Sequence, residues 1–436
     1  MCRIYRYMGL SQMEPHSQKA SLSYLIANSF GNFSISLIST YLVLFLLESI
    51  TITQLGILVA SRYAVQALFE FPTGTLGDTI GQQRVLIVAL VCQAFAILVF
   101  IIGDAFNIYL IATTIQAIGN SQESGALLSW YDNKIKKSKI SSDDNVYLIF
   151  MSKINMIGSL ITGTGIVIGG VIASLWSRIA LLKVYFFVII FNLVIVCIFV
   201  TEDEISSGKK HKNSFSTQFT NGMKFLNQNH GMMFYYIGVA FLSAAGGGVW
   251  YELMLFPYYR GYSGSDFLTS VLRSSMFVGT FFLNIIAVKL SQRIQDMKKH
   301  LWSHYFIASP IWFSIIFIYT MVFPATGSFV FATYIGLFFV HLFPAISIAL
   351  YTALDKNFQM EVIPNEIRNS IYSVGPTLET LFGVVFTFIG AIILDNGGFH
   401  IALAFVICIC VIGMIFIGVG LKSVVIEFSS ATQIMS

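Results

Sequence analysis

Residues 70–86 read Glu-Phe-Pro-Thr-Gly-Thr-Leu-Gly-Asp-Thr-Ile-Gly-Gln-Gln-Arg-Val-Leu, and they separate two long apolar runs. Gly77 and Gly81 flank an acid, Asp78, at the point where the apolar character is interrupted. Because glycine adopts turn conformations without steric cost, two helix ends can approach closely here. The Asp78 carboxylate can face the positive N-terminus of another helix. The stretch therefore predicts a tight turn between two membrane-spanning helices.

The composition is that of a helical membrane protein. Of the 436 residues, 56% are hydrophobic and 11% are charged, whereas a soluble protein carries roughly 25% charged residues. The 34 glycines suit helices that pack closely within a bilayer. The five cysteines lie in apolar runs or at the N-terminus, so they indicate neither a disulfide framework nor a metal site. We expect an all-α polytopic membrane protein.

The apolar runs predict twelve transmembrane helices, each near the ~20 residues that a bilayer requires. Their expected positions are 21–47, 54–77, 84–103, 107–129, 146–173, 180–201, 231–257, 267–290, 301–322, 327–352, 368–394 and 398–422.

The basic residues orient these spans. With the N-terminus in the cytoplasm, 20 of the 25 Lys and Arg residues fall in cytoplasmic segments. External loops hold three, namely Arg178, Lys183 and Arg260, and Arg62 and Arg273 lie within spans. Cytoplasmic loops of membrane proteins carry an excess of Lys and Arg. We therefore expect a multi-pass protein of the plasma membrane with both termini in the cytoplasm.

The chain divides into two similar parts. Its longest polar segment, 202–230, predicts a cytoplasmic linker between an N-terminal half, 1–201, and a C-terminal half, 231–436. When the sequence is shifted by 211 residues, Tyr41-Leu-Val-Leu-Phe-Leu aligns with Glu252-Leu-Met-Leu-Phe-Pro, and Arg62 aligns with Arg273. Two rare intramembrane arginines in register indicate an internal repeat of six plus six helices.

The pattern Gly74-x-Leu76-Gly77-Asp78-x-x-Gly81 resembles the signature loop between helices 2 and 3 of major facilitator superfamily transporters. The basic residues that the family usually has in this loop are replaced by Thr79, Gln82 and Gln83. Segments 124–132 and 363–373 also resemble members of the superfamily. The resemblance implies the twelve-helix fold of that family and a gating loop formed by Gly74, Asp78, Gly81 and Arg84. The proline and the span-4 arginine of drug antiporters are absent, which weakens assignment to that subgroup.

Several polar residues share helical faces within the predicted spans. Gln116, Asn120 and Glu123 lie on one face of span 4, and Asn28 and Asn32 lie on one face of span 1. One interpretation is that they line a central substrate cavity. The alternative is that they form hydrogen bonds between helices and only pack the bundle.

Three acids are candidates for carrying protons: Glu379, Glu123 and Glu70. Glu379 lies about eleven residues into span 11, near the centre of the bilayer at helical rise. An ionisable group within the membrane is costly, and it usually faces a cavity or a partner. The alternative for Glu379 is a structural pair with a basic residue, and Glu70 next to the signature loop could instead latch a closed state.

Arg62, Arg273 and His341 complete the candidates for the substrate cavity. The two arginines could hold an anionic group of a substrate, but snorkelling or pairing with Glu252 is the interpretation that we favour. His341 lies within span 10 and could change its charge near neutral pH. A packing role for this histidine is the simpler interpretation.

These observations predict a secondary active transporter that moves a small molecule by alternating access. We expect protons as the coupling ion, export of an amphipathic compound, a monomer in the lipid bilayer, and no role for a cofactor, a metal or nucleic acid. Nutrient uptake by symport is the alternative. A sensor or a lipid-modifying enzyme is disfavoured, because the chain shows no long soluble segment, nucleotide-binding loop or clustered catalytic groups.

Overall fold

The structure is a computed structural model that describes residues 8, 10, 15–123, 125–136, 144–202, 215–291, 294, 296–363 and 368–424. Within helices, the side chains of residues 70–79, 144–149 and a few other positions lie outside this description. The described part of the chain is helical and contains no strands. The prediction of an all-α protein is therefore confirmed.

The first part of the chain forms eight helices that correspond to the first six predicted spans. They are α1 Pro15–Ile38, α2 Tyr41–Leu46, α3 Ile52–Ile80, α4 Gln82–Ile102, α5 Phe106–Glu123, α6 Ala126–Lys136, α7 Asp144–Leu175 and α8 Arg178–Phe199. α1 with α2 forms one span, and α5 with α6 covers the region of span 4.

The second part follows the same plan and includes two π-helical segments. Its elements are α9 Phe215–Gln228, α10 His230–Ser243, π-helix Ala244–Met254, α11 Leu255–Ser263, α12 Asp266–Ser291, α13 Met297–Phe306, π-helix Ile307–Ile311, α14 Trp312–Val322, α15 Phe331–Leu342, α16 Ala345–Val362 and α17 Arg368–Ser423. α17 contains two helices that meet at Gly398, where φ is 77°.

The helices agree with twelve spans. Nine segments of the described chain are long and apolar enough to cross a membrane, and the last of them, Val374–Ser423, contains both helices of α17. α5 and α12 supply the two remaining positions of the predicted series. A helix can satisfy its backbone hydrogen bonds internally, as a bilayer requires.

The turn of the signature stretch is shorter than predicted. α3 continues through residues 77 and 78 to Ile80, and α4 begins at Gln82, so Gly81 alone separates them. Gly81 has φ of 97°, and a Cβ atom there would lie 1.9 Å from Oε2 of Glu202. The Glu202 carboxylate accepts a hydrogen bond of 3.0 Å from the backbone N–H of Gln83. Both the left-handed conformation and this close approach require glycine.

Two other predicted boundaries are wrong. Span 4, predicted as continuous over 107–129, breaks after Glu123, and Gly125 has φ of 75°. Span 10, predicted to end at 352, continues in α16 to Val362. The polar residues at the end of α16 concealed this extension, because an apolar run ends before the helix does.

Small residues bring the predicted halves together. α7 packs between α1 and α12, and a Cβ atom at Gly170 would lie 2.1 Å from Oγ of Ser270. α3 packs on α17 in the same way, since a Cβ atom at Gly56 would lie 2.1 Å from Cβ of Ala391. Glycine lets helix backbones approach closely in membranes, where packing drives association.

Candidate substrate and proton sites

A cavity of about 270 Å³ lies among α1, α4, α6, α8 and the end of α5. Its polar lining comes from Asn28, Asn32, Glu123 and Asn192. The apolar lining includes Leu86 and other residues near the predicted cytoplasmic ends of these helices. The structure thus brings together three of the residues that the sequence placed in a substrate cavity, together with Asn192.

Gln93 of α4 organises the acidic end of this cavity. Its Nε2 atom donates hydrogen bonds to Oε2 of Glu123, at 2.5 Å, and to Oδ1 of Asn120, at 3.1 Å. Gln93 is itself buried, with 6% of its surface exposed. The hydrogen bond to Asn120 therefore helps to hold Gln93 in the position from which it donates to Glu123. Gln116, a further turn along the same helix, is half-buried and is not among the residues that line the cavity.

Asn192 was not selected from the sequence. It is 4% exposed, and its Oδ1 atom has no hydrogen-bond partner among the described residues. Asn192 is the one asparagine in the apolar helix α8, and this isolated amide is the sequence feature that could have identified it. A buried acceptor without a donor is costly, so its position at the cavity wall is a functional indication.

A second acidic site lies in the C-terminal part of the chain. The Glu379 carboxyl group of α17 forms a hydrogen bond with the Ser243 hydroxyl group and is repelled electrostatically by the Asp355 carboxylate. Asp355 accepts hydrogen bonds from the hydroxyl of Tyr235 and from Nε2 of Gln359, the latter at 2.9 and 3.0 Å. The sequence missed Asp355 because the predicted span 10 ended before it. Glu379 and Glu123 thus belong to separate sites.

The two repeat-related arginines have different partners. Nη2 of Arg62 lies 2.7 Å from Oε1 of Glu252, which is the pairing that the sequence favoured. Arg273 is 4% exposed, donates to Oγ of Ser39 at 2.9 Å and lies 4.7 Å above the Phe256 ring. Neither arginine is among the residues that line the 270 Å³ cavity.

Charged residues join the predicted external ends of the two halves. Arg178, which begins α8, binds Asp266 at the start of α12 through two contacts of 2.8 and 2.9 Å. Nη1 of Arg178 also lies 2.7 Å from Oε1 of Glu48, and Nε of Arg260 lies 2.9 Å from Oδ1 of Asp266. We call these four residues the outer ion-pair network. This network connects the two parts of the chain at the end opposite the cavity.

His341 lies in an aromatic cluster and not at the cavity. Its ring is stacked 6.0 Å from Trp250 and lies 5.0 Å from the ring of Tyr259. Nδ1 of His341 is 3.0 Å from the backbone oxygen of Leu337, and Nε2 has no partner in the described part of the chain. These contacts favour the packing interpretation of His341.

The predicted gating loop is described only in part. Gly81 forms the break between α3 and α4, and Arg84 lies exposed in the first turn of α4. Gly74, Asp78 and the nearby Glu70 belong to α3, and their side chains lie outside the described residues. The gating roles of these residues therefore stay predictions.

The helical arrangement is that of a multi-pass membrane protein. A family model described as the Major Facilitator Superfamily matches residues 24–374, and the chain belongs to this family. No curated protein sequence matches the chain.

Solved structures share the fold at low sequence identity. A crystal structure of the nucleoside transporter NupG has a TM-score of 0.71 at 11% identity, over 93% of this chain and 99% of that chain. A bacterial homologue of the human lysosomal transporter Spinster, in an inward-facing and unoccupied conformation, has a TM-score of 0.64 at 14% identity, over 94% of this chain and 98% of that chain. Family membership makes this chain a transporter of a small molecule in a lipid bilayer.

Proposed function

We propose that this chain is a proton-coupled exporter of an amphipathic small molecule and that Glu379 carries the coupling proton. The observation that carries the proposal is the pair of unneutralised carboxyl groups, Glu123 and Glu379. Each lies in a spanning helix, and neither forms an ion pair with a residue that the structure describes. A charge in the membrane is costly without a partner, which suits groups that bind a proton or a charged ligand.

The two sites suit different roles, with substrate binding at Glu123 and proton binding at Glu379. Glu123 lies at a cavity that can accept a small molecule. Glu379 interacts with Asp355 and Ser243, in the other half of the chain. Two ionised carboxyl groups repel each other through space, so a proton at Glu379 relieves its repulsion by Asp355. Protonation of Glu379 would thereby favour one arrangement of α17 within the C-terminal half over another.

The conformation supports loading from the cytoplasm. The outer ion-pair network connects the predicted external ends of the halves, while the cavity lies near the predicted cytoplasmic ends. We propose that substrate enters this cavity from the cytoplasm and leaves after the network opens. Arg62 and Arg273 hold the halves together while the network is closed, and Asp78 stabilises one closed state at the gating loop.

The decisive experiment measures transport in inside-out membrane vesicles. A panel of labelled amphipathic compounds is added outside, and the vesicle lumen is acidified relative to the medium. We expect at least one compound to accumulate in the lumen, and a protonophore to abolish the accumulation. Vesicles without the protein are the control. Accumulation that is insensitive to the protonophore would contradict proton coupling.

Uptake by proton symport is the second candidate. The amide groups of Asn28, Asn32 and Asn192 at the cavity suit a solute that forms several hydrogen bonds. NupG, a nucleoside transporter, shares the fold. Right-side-out vesicles separate the two functions, because a symporter concentrates its substrate inside them when the external medium is acidic. In that geometry an exporter leaves the lumen depleted.

A further inference from the structure

The cavity at Glu123 has an acidic charge and no basic residue in its lining. Its fourteen lining residues include Asn28, Asn32 and Asn192 but neither lysine, arginine nor histidine. Glu123 forms no ion pair within the described part of the chain, and its described hydrogen-bond donor is the neutral amide of Gln93. The electrostatic potential of this cavity therefore favours a cation.

The same cavity presents hydrogen-bond acceptors that lack donors. Gln93 donates to Oε2 of Glu123, and the hydrogen bonds of the described chain leave Oε1 without a donor. Oδ1 of Asn192 is buried and has no partner among the described residues. Leaving the buried Asn192 acceptor unsatisfied is energetically costly. A ligand that brings N–H groups would satisfy both acceptors.

The remaining wall is apolar and aromatic. Leu86, Leu90 and Ile35 line one part of the cavity, and Tyr24 lines another. The Tyr24 ring is held by stacking on Tyr131 with 4.6 Å between ring centroids. A cavity of about 270 Å³ is slightly smaller than pockets for drug-sized ligands, which begin at roughly 300 Å³, so it fits only a small organic molecule. The ligand therefore needs a hydrocarbon portion as well as a polar group.

We propose that this cavity binds a small organic cation, with a protonated amine on Glu123, an N–H group donated to Asn192, and a hydrocarbon portion against Tyr24 and Leu86. This inference rests on the proposed function only in taking the cavity as the transport site. It adds the substrate class, which family membership does not supply. Asn28 and Asn32 complete the polar wall and orient the ammonium group.

Three matched probes test the charge and the N–H donor separately. Phenethylamine is a cation with N–H donors, phenethyl alcohol is a neutral analogue, and trimethyl(phenethyl)ammonium is a cation without N–H donors. Binding to the full-length protein in lipid nanodiscs is measured at pH 7 by thermal stabilisation across a concentration series. We expect phenethylamine to bind about tenfold more tightly than the alcohol, because its contact with Glu123 is a charge-assisted hydrogen bond; a tenfold difference corresponds to about 1.4 kcal/mol.

Variants assign the two contacts. Glu123→Gln should remove the preference for phenethylamine over the alcohol. Asn192→Leu, which keeps the size of the side chain, should weaken phenethylamine several-fold and leave the quaternary probe unchanged. Asp104→Asn is the control, since it removes an exposed carboxyl group outside the cavity, and it should keep the preference.

The outcomes separate this inference from the proposed function. Equal binding of the amine and the alcohol, or a preference that survives Glu123→Gln, would overturn the cation site. These binding measurements use no proton gradient. A cation preference in nanodiscs without gradient-driven transport in vesicles would support the site and refute proton coupling alone.

Discussion

Arg62 of α3 and Glu252 of the first π-helix form an ion pair, with 2.7 Å between Nη2 and Oε1. α3 belongs to the predicted N-terminal half, and Glu252 belongs to the first span of the predicted C-terminal half. Arg273, which follows Arg62 by 211 residues, reaches Ser39 in the first span of the N-terminal half. Each arginine thus crosses to the first span of the other half, as an internal repeat requires.

Loss of the Arg62 charge should destabilise the protein. Arg62→Gln leaves the Glu252 carboxylate in a site where 16% of that side chain is exposed. Removing one partner of a buried pair costs about 3–5 kcal/mol, and the partial exposure of this pair places it toward the lower figure. Thermal unfolding followed by fluorescence measures the effect as a lower Tm.

The control for this variant is Arg84→Gln. Arg84 is exposed at the start of α4, so its substitution should change stability by less than about 0.5 kcal/mol. The exchange Arg62→Glu with Glu252→Arg should recover part of the lost Tm. An unchanged Tm in Arg62→Gln would show that the ion pair contributes little.

Asp266 should control opening at the predicted external end. It binds both Arg178 and Arg260, and 10% of its side chain is exposed. Asp266→Asn removes the carboxylate that joins Arg178 to Arg260, which weakens closure. Ser270, which is fully buried nearby, provides a reporter as Ser270→Cys in a variant without other cysteines. We expect its labelling by an impermeant maleimide to become at least about tenfold faster.

Glu48→Gln is the matched control for Asp266→Asn. Glu48 contacts Arg178 at 2.7 Å, but 52% of its side chain is exposed. An exposed pair contributes only ~0–1 kcal/mol, so labelling should change little. Equal labelling rates in both variants would show that the outer ion-pair network does not hold this end closed.

Close packing of α7 against α12 gives a third prediction. A Cβ atom at Gly170 would lie 2.1 Å from Oγ of Ser270 and 2.6 Å from the hydroxyl oxygen of Tyr41. Gly170→Ala should therefore separate these helices and lower Tm, with a cost of about 1–3 kcal/mol for overpacking. Circular dichroism and fluorescence-detected unfolding measure this loss.

Gly158→Ala in the same helix is the control for Gly170→Ala. A Cβ atom at Gly158 would lie 3.5 Å from Nδ2 of Asn32, which is an ordinary contact. Alanine also favours a helix over glycine by about 1 kcal/mol, so this variant should be neutral or stabilising. A similar loss of Tm in both variants would contradict the packing argument.

Periodicity and charge predicted much of the fold. Long apolar runs must form helices in a bilayer, so the number and order of the spans could be derived from the sequence. Local details could not, because the end of α3 at Ile80 depends on Gly81 and on the Glu202 carboxylate from far along the chain. The continuation of α16 through Asp355 was concealed for the same reason, since Asp355 and Gln359 form tertiary hydrogen bonds with the hydroxyl groups of Tyr235 and Tyr236.

The residues of the candidate sites could be predicted only where several polar residues share one face of the same helix. Spacing on α5 linked Asn120 with Glu123, and the structure joins both to Gln93. Gln93 and Asn192 were missed because each is a single amide on its own helix. Helical spacing cannot show which faces of two helices meet. His341 and Arg273 were likewise ambiguous until their surrounding rings and hydroxyl groups were known.

The predicted orientation of the chain can be tested with cysteine labelling. Arg178 and Arg260 are unsuitable positions, because both belong to the outer ion-pair network. Ala325 is exposed between α14 and α15, while Lys299 and Lys422 are exposed at the opposite end. In a variant without other cysteines, an impermeant reagent added to intact cells should label Ala325→Cys and spare Lys299→Cys and Lys422→Cys. Labelling of Lys422→Cys from outside would place this end of the chain outside the cell and contradict the predicted cytoplasmic C-terminus.

Glu379→Gln tests the coupling role directly. The variant is neutral at all pH values, so it cannot load or release a proton. We expect accumulation driven by a pH gradient to fall at least about tenfold in inside-out vesicles. Exchange of labelled for unlabelled substrate at equal pH should continue, because the cavity at Glu123 lies elsewhere.

Thr380→Val is the matched control on the same helix. Thr380 directly follows Glu379, and its hydroxyl donates to the backbone oxygen of Pro376 at 2.8 Å. Its substitution removes a local hydrogen bond while keeping every carboxyl group, so both driven transport and exchange should persist. If Glu379→Gln accumulates substrate at the wild-type rate, Glu379 is structural. Glu123→Gln and Glu70→Gln then enter the same assay, and the variant that loses driven transport but keeps exchange identifies the proton carrier.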